Sequence, residues 1–233
     1  YGRGTPGGCS FPELLRKVQE IEGIERIRFV TSHPRDLSDS LIITMRDLSK
    51  VCEALHLPAQ SGSDRILTAM NRAYTAREYR DKVARLREAV PGVTLTTDII
   101  VGFPGETEED FAQTLALLQD VAYDGIFAFK YSKRPGTAAL TLTGHLPEPV
   151  KDSRLAQVFE LQRSVTLRKN GELVGSVQEV LVEGRSKRGD TLTGRTRGNK
   201  VVNFAGPAGP AGSLVTVRIL SAGPNSLTGE LCA

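Results

Sequence analysis

Thr94-Leu-Thr-Thr-Asp-Ile-Ile-Val101, followed by Gly102-Phe-Pro-Gly-Glu106 and then Thr107-Glu-Glu-Asp110, sets the fold. The first run is β-branched and short, the composition of a strand. Its two glycines and one proline make the second run a turn. The third is a capping box, Thr107-x-x-Asp110, with Glu108 and Glu109 in the first turn that the helix dipole favours. Phe111, Leu115 and Leu118 continue it at helical spacing. Strand, glycine turn and helix in that order make one βα unit of a parallel sheet.

The same alternation extends on both sides. Further strands are expected at Arg26–Ser32, Cys52–Leu57 and Gly125–Ser132. Helical faces are expected at Phe11, Leu14, Leu15 and Val18; at Leu41, Met45 and Leu48; at Tyr79, Val83, Leu86 and Val90 behind the box Thr75-x-x-Glu78; and at Leu155, Val158, Phe159 and Val165. Four βα units are too few for a closed eight-stranded barrel, so the sheet is open or part of a larger one. Near Asn170-Gly171, a helix stop, the periodicity changes. Five short strands follow, at Ser176–Glu183, Thr191–Arg195, Val201–Phe204, Leu214–Leu220 and Ser226–Leu231, which suit a small OB-like barrel. The expected domains are 1–168 and 169–233.

Hydrophobic residues make up 39% of the 233 and charged residues 24%, which excludes wholesale disorder. No apolar run approaches the ~18–20 residues of a membrane span. Three scattered cysteines, Cys9, Cys52 and Cys232, argue against a disulfide framework and fit a reducing cytoplasm. No C-x-x-C or C-x-x-x-C-x-x-C occurs, and the three histidines are also scattered, so no local metal loop is expected.

Ligands of parallel α/β folds sit at the carboxyl ends of the strands. Here those ends are polar: Thr31-Ser-His-Pro-Arg35, Pro58-Ala-Gln-Ser-Gly-Ser-Asp64, Gly102–Glu106 and Ser132-Lys-Arg-Pro-Gly136. Some of this has a plainer purpose. Ser63 can cap a helix at 64–70, and the glycines can serve a tight turn. Asp98 within a strand calls for a partner, because a buried carboxylate is costly alone. In 185–200, six basic residues, Arg185, Lys187, Arg188, Arg195, Arg197 and Lys200, face the single acid Asp190. That density suits phosphate, with Asn199, Asn203 and Phe204 offering hydrogen bonds and a stacking face.

His56-Leu-Pro-Ala-Gln-Ser-Gly-Ser-Asp-Arg65, Ala69-Met-Asn-Arg72, Thr97–Asp110 and Tyr131-Ser-Lys-Arg-Pro-Gly-Thr137 closely resemble the radical-SAM methylthiotransferases, and the tail resembles their TRAM domain. Phe29-Val-Thr-Ser-His-Pro34 and Arg195-Thr-Arg-Gly-Asn-Lys-Val-Val-Asn-Phe204 are most similar to the tRNA-acting branch. The resemblance implies an α/β fold, the C-terminal part of a partial TIM-type (β/α) barrel, followed by a small all-β OB-like barrel. It implies addition of a methylthio group to C2 of N6-isopentenyladenosine beside the anticodon. It also implies S-adenosylmethionine (SAM), two 4Fe-4S clusters, a reducing-electron donor protein, a tRNA anticodon stem-loop as partner and a cytoplasmic monomer.

Family cluster ligands are not matched by Cys9, Cys52 or Cys232, so the chain corresponds to a carboxyl-terminal portion expected to be inactive alone. Carried over position by position, SAM would meet Ser32, Gln60, Ser61, Ser63, Asp98, Ile100, Gly102 and Arg134. RNA would meet Arg185, Lys187, Arg188, Arg195, Arg197, Asn199, Lys200, Asn203 and Phe204, with Lys133 and Arg134 as further phosphate candidates. The rival readings are an RNA-binding module without catalysis and a methylthiotransferase acting on a ribosomal protein.

Overall fold

The computed structural model describes residues 8–30, 33–186, 191–207 and 210–232. The Thr94–Val101 segment is a strand over that full range. It is the centre of a three-stranded parallel sheet, between Ala54–His56 (β1) and Gly125–Lys130 (β3), and is itself β2. Side chains alternate along it. Thr97, Ile99 and Val101 are buried, whereas Thr96, Asp98 and Ile100 lie on the more open face, which β3 extends with the exposed rings of Phe127 and Phe129.

Helices Phe11–Gln19 (α1), Asp39–Asp47 (α2), Ala76–Ala89 (α4), Glu108–Val121 (α5) and Glu148–Gly171 (α6) pack side by side in that order; α3 is Asp64–Ala69. Their buried faces, including Leu41, Tyr79, Leu86, Phe111, Leu118 and Val158, share one hydrophobic core with Leu55, Leu95 and Ile99 of the sheet.

Two local expectations are corrected. The strand expected at Arg26–Ser32 reduces to one parallel bridge, Ile27 to Val51. The Ile27 N–H donates to Lys50 O and its carbonyl accepts from the Cys52 N–H, and no ladder follows among the described residues. Phe159 is 46% exposed. The buried stripe of α6 runs through Lys151, Arg154, Val158, Gln162 and Val165, and Phe159 sits about 100° round the helix from Val158.

After α6, strands β4 (Val177–Arg185), β5 (Leu192–Thr196), β6 (Val201–Ala205), β7 (Leu214–Ala222) and β8 (Leu227–Leu231) close into a barrel ordered β4-β5-β6-β8-β7. Only the β6–β8 pair is parallel. Val180, Val182, Leu192, Val202, Phe204, Val217, Ile219 and Leu227 fill it.

A polar seam joins the barrel to the α/β core. The buried Asp124 carboxylate, just before β3, accepts from Lys169 Nζ at 2.6 Å and lies 3.0 Å from Lys200 Nζ of the barrel. Lys200 Nζ also donates to Asn170 Oδ1, whose amide donates to Gly223 O across the seam. The Arg197 guanidinium grips both oxygens of Glu53 at 2.8 Å and donates to the Ser49 and Val51 carbonyls. In the other direction, Arg26 donates to Arg195 O, Glu179 O and Glu179 Oε1, and Arg28 donates to Thr196 O at 2.6 Å. Gly198, in the turn between β5 and β6, abuts Thr94 so closely that a Cβ would collide with the Thr94 hydroxyl.

Phe204 has no exposed surface and lies at the centre of the barrel core. Phe204→Ala is therefore expected to cost about 3–5 kcal/mol. Urea denaturation of the chain, read separately in the barrel and the core, checks this; a loss below about 1 kcal/mol would be inconsistent with a filled barrel.

Candidate functional site

Turn chemistry builds the rim at the carboxyl ends of β1 and β2. Gln60 adopts a left-handed backbone (φ 67°). Its N–H donates to Asp98 O, and its carbonyl accepts from the Ile100 N–H, so the loop after β1 is laced to the end of β2. The buried Ser61 hydroxyl lies 3.2 Å from that of Thr114 and accepts from the Ser63 N–H. Ser63 caps α3 and donates to Asp110 Oδ1 at 2.7 Å. These two hydroxyls are engaged in buried protein bonds, so they hold the loop rather than offer open contacts to a ligand.

Asp110 is the hub of this loop. It also closes the α5 capping box with Thr107 and pairs with Arg65, and these donors hold its carboxyl far below the usual carboxylate range despite burial.

Gly102 takes φ +72°, and the Lys151 side chain packs where a Cβ would be. A side chain there would strain both backbone and packing. The Gly102 N–H donates to Glu106 Oε1 at 2.9 Å, and the same oxygen accepts from Arg154 Nη1 at 2.5 Å. This pair is sealed, with side-chain exposures of 4% and 1%. Burial pushes the Glu106 carboxyl up, while the Gly102 amide and Arg154 pull it back. Arg154 also lies over the Phe111 ring and pairs with Glu108. Thus α6 braces the turn at the end of β2 from behind.

In front of the rim lies a cavity of about 370 Å³, walled by Ile100, Phe103, Phe129, Tyr131, Asn71 and Arg134 among others. Its size and largely apolar wall suit a small organic ligand. The Tyr131 phenol oxygen is buried without a hydrogen-bond partner, an open position for a polar ligand atom. Of the expected cofactor contacts, Ile100 and Arg134 line this cavity, while Gly102 and Gln60 position its wall. Asp98 lies 3.3 Å from His56 Nε2 on the open sheet face, beside Phe127, and its side chain is 30% exposed, so the burial that called for a partner is not found. Ser32 lies outside the described residues.

Sequence reasoning missed Phe103, Phe129, Tyr131 and the Glu106–Arg154 pair. The alternation Phe127, Phe129, Tyr131 along β3 and one residue past its end was the available signal. Cys9, Cys52 and Cys232 are separate thiols, and no group of three or more His, Cys, Asp or Glu side chains converges on a metal position among the described residues.

The expected RNA contacts divide. Arg185 is exposed at the end of β4, and Lys187 and Arg188 lie outside the described residues. Arg197 and Lys200 are occupied in the seam. Arg195 pairs with Glu183 and donates to the Asn199 carbonyl. Asn199 holds the left-handed position of the β5–β6 turn (φ 64°). Asn203 is half-buried on the outer face of β6, and Phe204, being core, presents no stacking face.

Residues 2–118 match the family model of the radical SAM superfamily, and residues 171–232 match that of the TRAM domain. The chain belongs to the radical SAM superfamily and carries a C-terminal TRAM barrel. Among its relatives, a protein of Geobacter metallireducens named tRNA-2-methylthio-N(6)-dimethylallyladenosine synthase is 56% identical over 99% of this chain and 52% of its own length. A protein of the same name from Acetivibrio thermocellus is 54% identical over 99% and 48%. The chain thus spans about half the length of the curated relatives it matches. Coproporphyrinogen III oxidase of Escherichia coli, a radical SAM enzyme, shares the fold with a TM-score of 0.50, 16% identity, and coverage of 80% of this chain and 50% of its own.

Replacing one partner of the sealed Glu106–Arg154 pair strands the other. Arg154→Met is expected to destabilise the core by about 3–5 kcal/mol, and adding Glu106→Gln should recover most of it. Denaturation of the single and double variants checks this; independent, additive losses would contradict the coupling.

Proposed function

We propose that this chain is the SAM-orienting and RNA-docking portion of a tRNA methylthiotransferase that modifies C2 of N6-isopentenyladenosine beside the anticodon. The observation that carries the reading is identity of 56% over nearly the whole chain to a synthase so named. When bound, SAM and two 4Fe-4S clusters would supply the radical, the sulfur and the methyl group. This chain's sequence contains no C-x-x-x-C-x-x-C to hold a cluster.

The chain's own residues orient and shield. The Ile100–Gly102 strand end, its Ile100 and Gly102 N–H groups held by Gln60 and Glu106, offers an apolar edge suited to an adenine. Phe129 and Phe103 exclude water from its face. Arg134, exposed at the mouth, suits a carboxylate or a phosphate.

The rival in which the whole protein only binds RNA would leave the rim and its buried support without a purpose. A ribosomal-protein substrate is disfavoured by the names of the relatives, which are tRNA-modifying synthases at 56% and 54% identity.

RNA contact by Arg185, Lys187 and Arg188 rests on the density of cations in the sequence, while Arg197 and Lys200 are held by Glu53 and Asp124. The test is methylthiolation of an isopentenylated anticodon stem-loop by the reduced, cluster-loaded whole protein, with binding measured across salt concentrations. Modified product is expected. Changing those three residues to Ala should flatten the log–log salt slope by roughly 2–3 units. A loaded protein that modifies a protein substrate and leaves the RNA untouched would overturn the reading.

A further inference from the structure

We infer that Arg197 and Lys200 of the barrel, with Glu53 and Asp124 of the core, are positioning residues: the seam they form fixes the barrel's orientation and thereby selects which nucleotide of a bound RNA reaches the rim. The inference rests on the reading of the chain as an RNA-modifying protein.

Four observations carry it. The contacts run both ways, since Arg197 reaches into the core for Glu53, Ser49 O and Val51 O, while Arg26 and Arg28 reach out for Glu179, Arg195 O and Thr196 O. Arg197 and Arg26 each bind several acceptors in a fixed fork, which constrains angle as well as distance. The Asp124 side chain is 5% exposed and shared between a lysine of α6 and a lysine of the barrel, so sliding either element would leave a buried charge uncompensated. Gly198 seats against Thr94 with no room for a side chain, which sets the closest approach.

A loose tether would need none of this, because polar linkers let domains reorient. Here the α6 helix runs to Gly171 and β4 begins at Val177, a short connection reinforced by the seam. Two surfaces held rigidly on one RNA act as a ruler. A barrel rotated by a few degrees would still bind phosphates, yet would present a neighbouring nucleotide to the rim.

The structural arm of the test uses this 233-residue chain with its three cysteines replaced by alanine and spin labels at Ala84 of α4 and Thr216 of β7, both exposed. Pulsed electron–electron resonance should give one narrow distance in the parent. Glu53→Arg or Arg197→Glu alone should broaden it, and the Glu53→Arg/Arg197→Glu exchange should narrow it again.

The functional arm uses the loaded whole protein and stem-loops with the target adenosine at its normal position or one nucleotide to either side. Each single variant should bind RNA within about threefold of the parent but lose at least tenfold in preference for the normal position, with recovery in the exchanged pair. A single narrow distance in every folded variant, or unchanged positional preference in variants whose distances have broadened, overturns the inference. A parent protein that modifies none of the RNAs would instead refute the RNA-modifying reading, while the distance measurement still decides whether the seam sets the orientation.

Discussion

One buried carboxylate organises the two halves of this molecule. Asp124 stands where α5 hands the chain to β3, and it accepts from the Leu95 N–H at the start of β2. It therefore ties together the sheet, the end of α6 through Lys169 and the barrel through Lys200. A lone carboxylate at that depth would be strongly disfavoured. Two lysines and an amide reverse the balance: burial alone would raise its pKa, yet the neighbouring positive charges hold it below the ordinary value. The basic stretch of the barrel takes its place in the molecule from this interaction. Arg197 and Lys200, which look suited to phosphate in the sequence, are committed to the protein's own acids.

The rim follows the same rule at the opposite end of the sheet. Asp110 gathers Ser63, Arg65 and Thr107, and Glu106 gathers Gly102 and Arg154. Each acid fixes a loop at the carboxyl end of the sheet, behind the cavity that Ile100, Phe103 and Phe129 wall. A preorganised rim suits a cofactor that carries its own reactivity, because the protein then supplies orientation and exclusion of water. The sheet's open face, with His56, Asp98, Phe127 and Phe129, joins the rim to the crevice beside the seam.

Much of this was legible in the residues. The Thr94–Val101 strand, the two capping boxes and the five barrel strands follow from periods of two and 3.6 and from turn chemistry, which are local properties. Ser63 as a helix cap was legible for the same reason. What was not legible depends on partners distant in sequence. Arg197 and Glu53 are 144 residues apart, so nothing local tells a committed guanidinium from one free to meet phosphate. Phe204 and Asn203 are adjacent, yet the strand's alternation turns one into the core and leaves the other outside; that could have been read from the apolar partner Val202, buried on the same face. Arg154 lies within a helix of mixed polarity, and its buried role becomes apparent only once Glu106 is placed beside it.

The central claim is that the Asp124 carboxylate joins the core to the barrel as an ion. Its lowered pKa gives a definite sign: the stabilisation should be full above the unfolded carboxylate value, about 3.9, and should disappear as pH falls through the lower folded value. The direct measurement is the stability of the chain and its Asp124→Asn variant by urea denaturation from pH 7 down to pH 3. A gap that is constant above about pH 5 and closes progressively in acid is the result expected. A gap that stays the same down to the lowest pH, or no gap at neutral pH, would show that the seam does not depend on this charge.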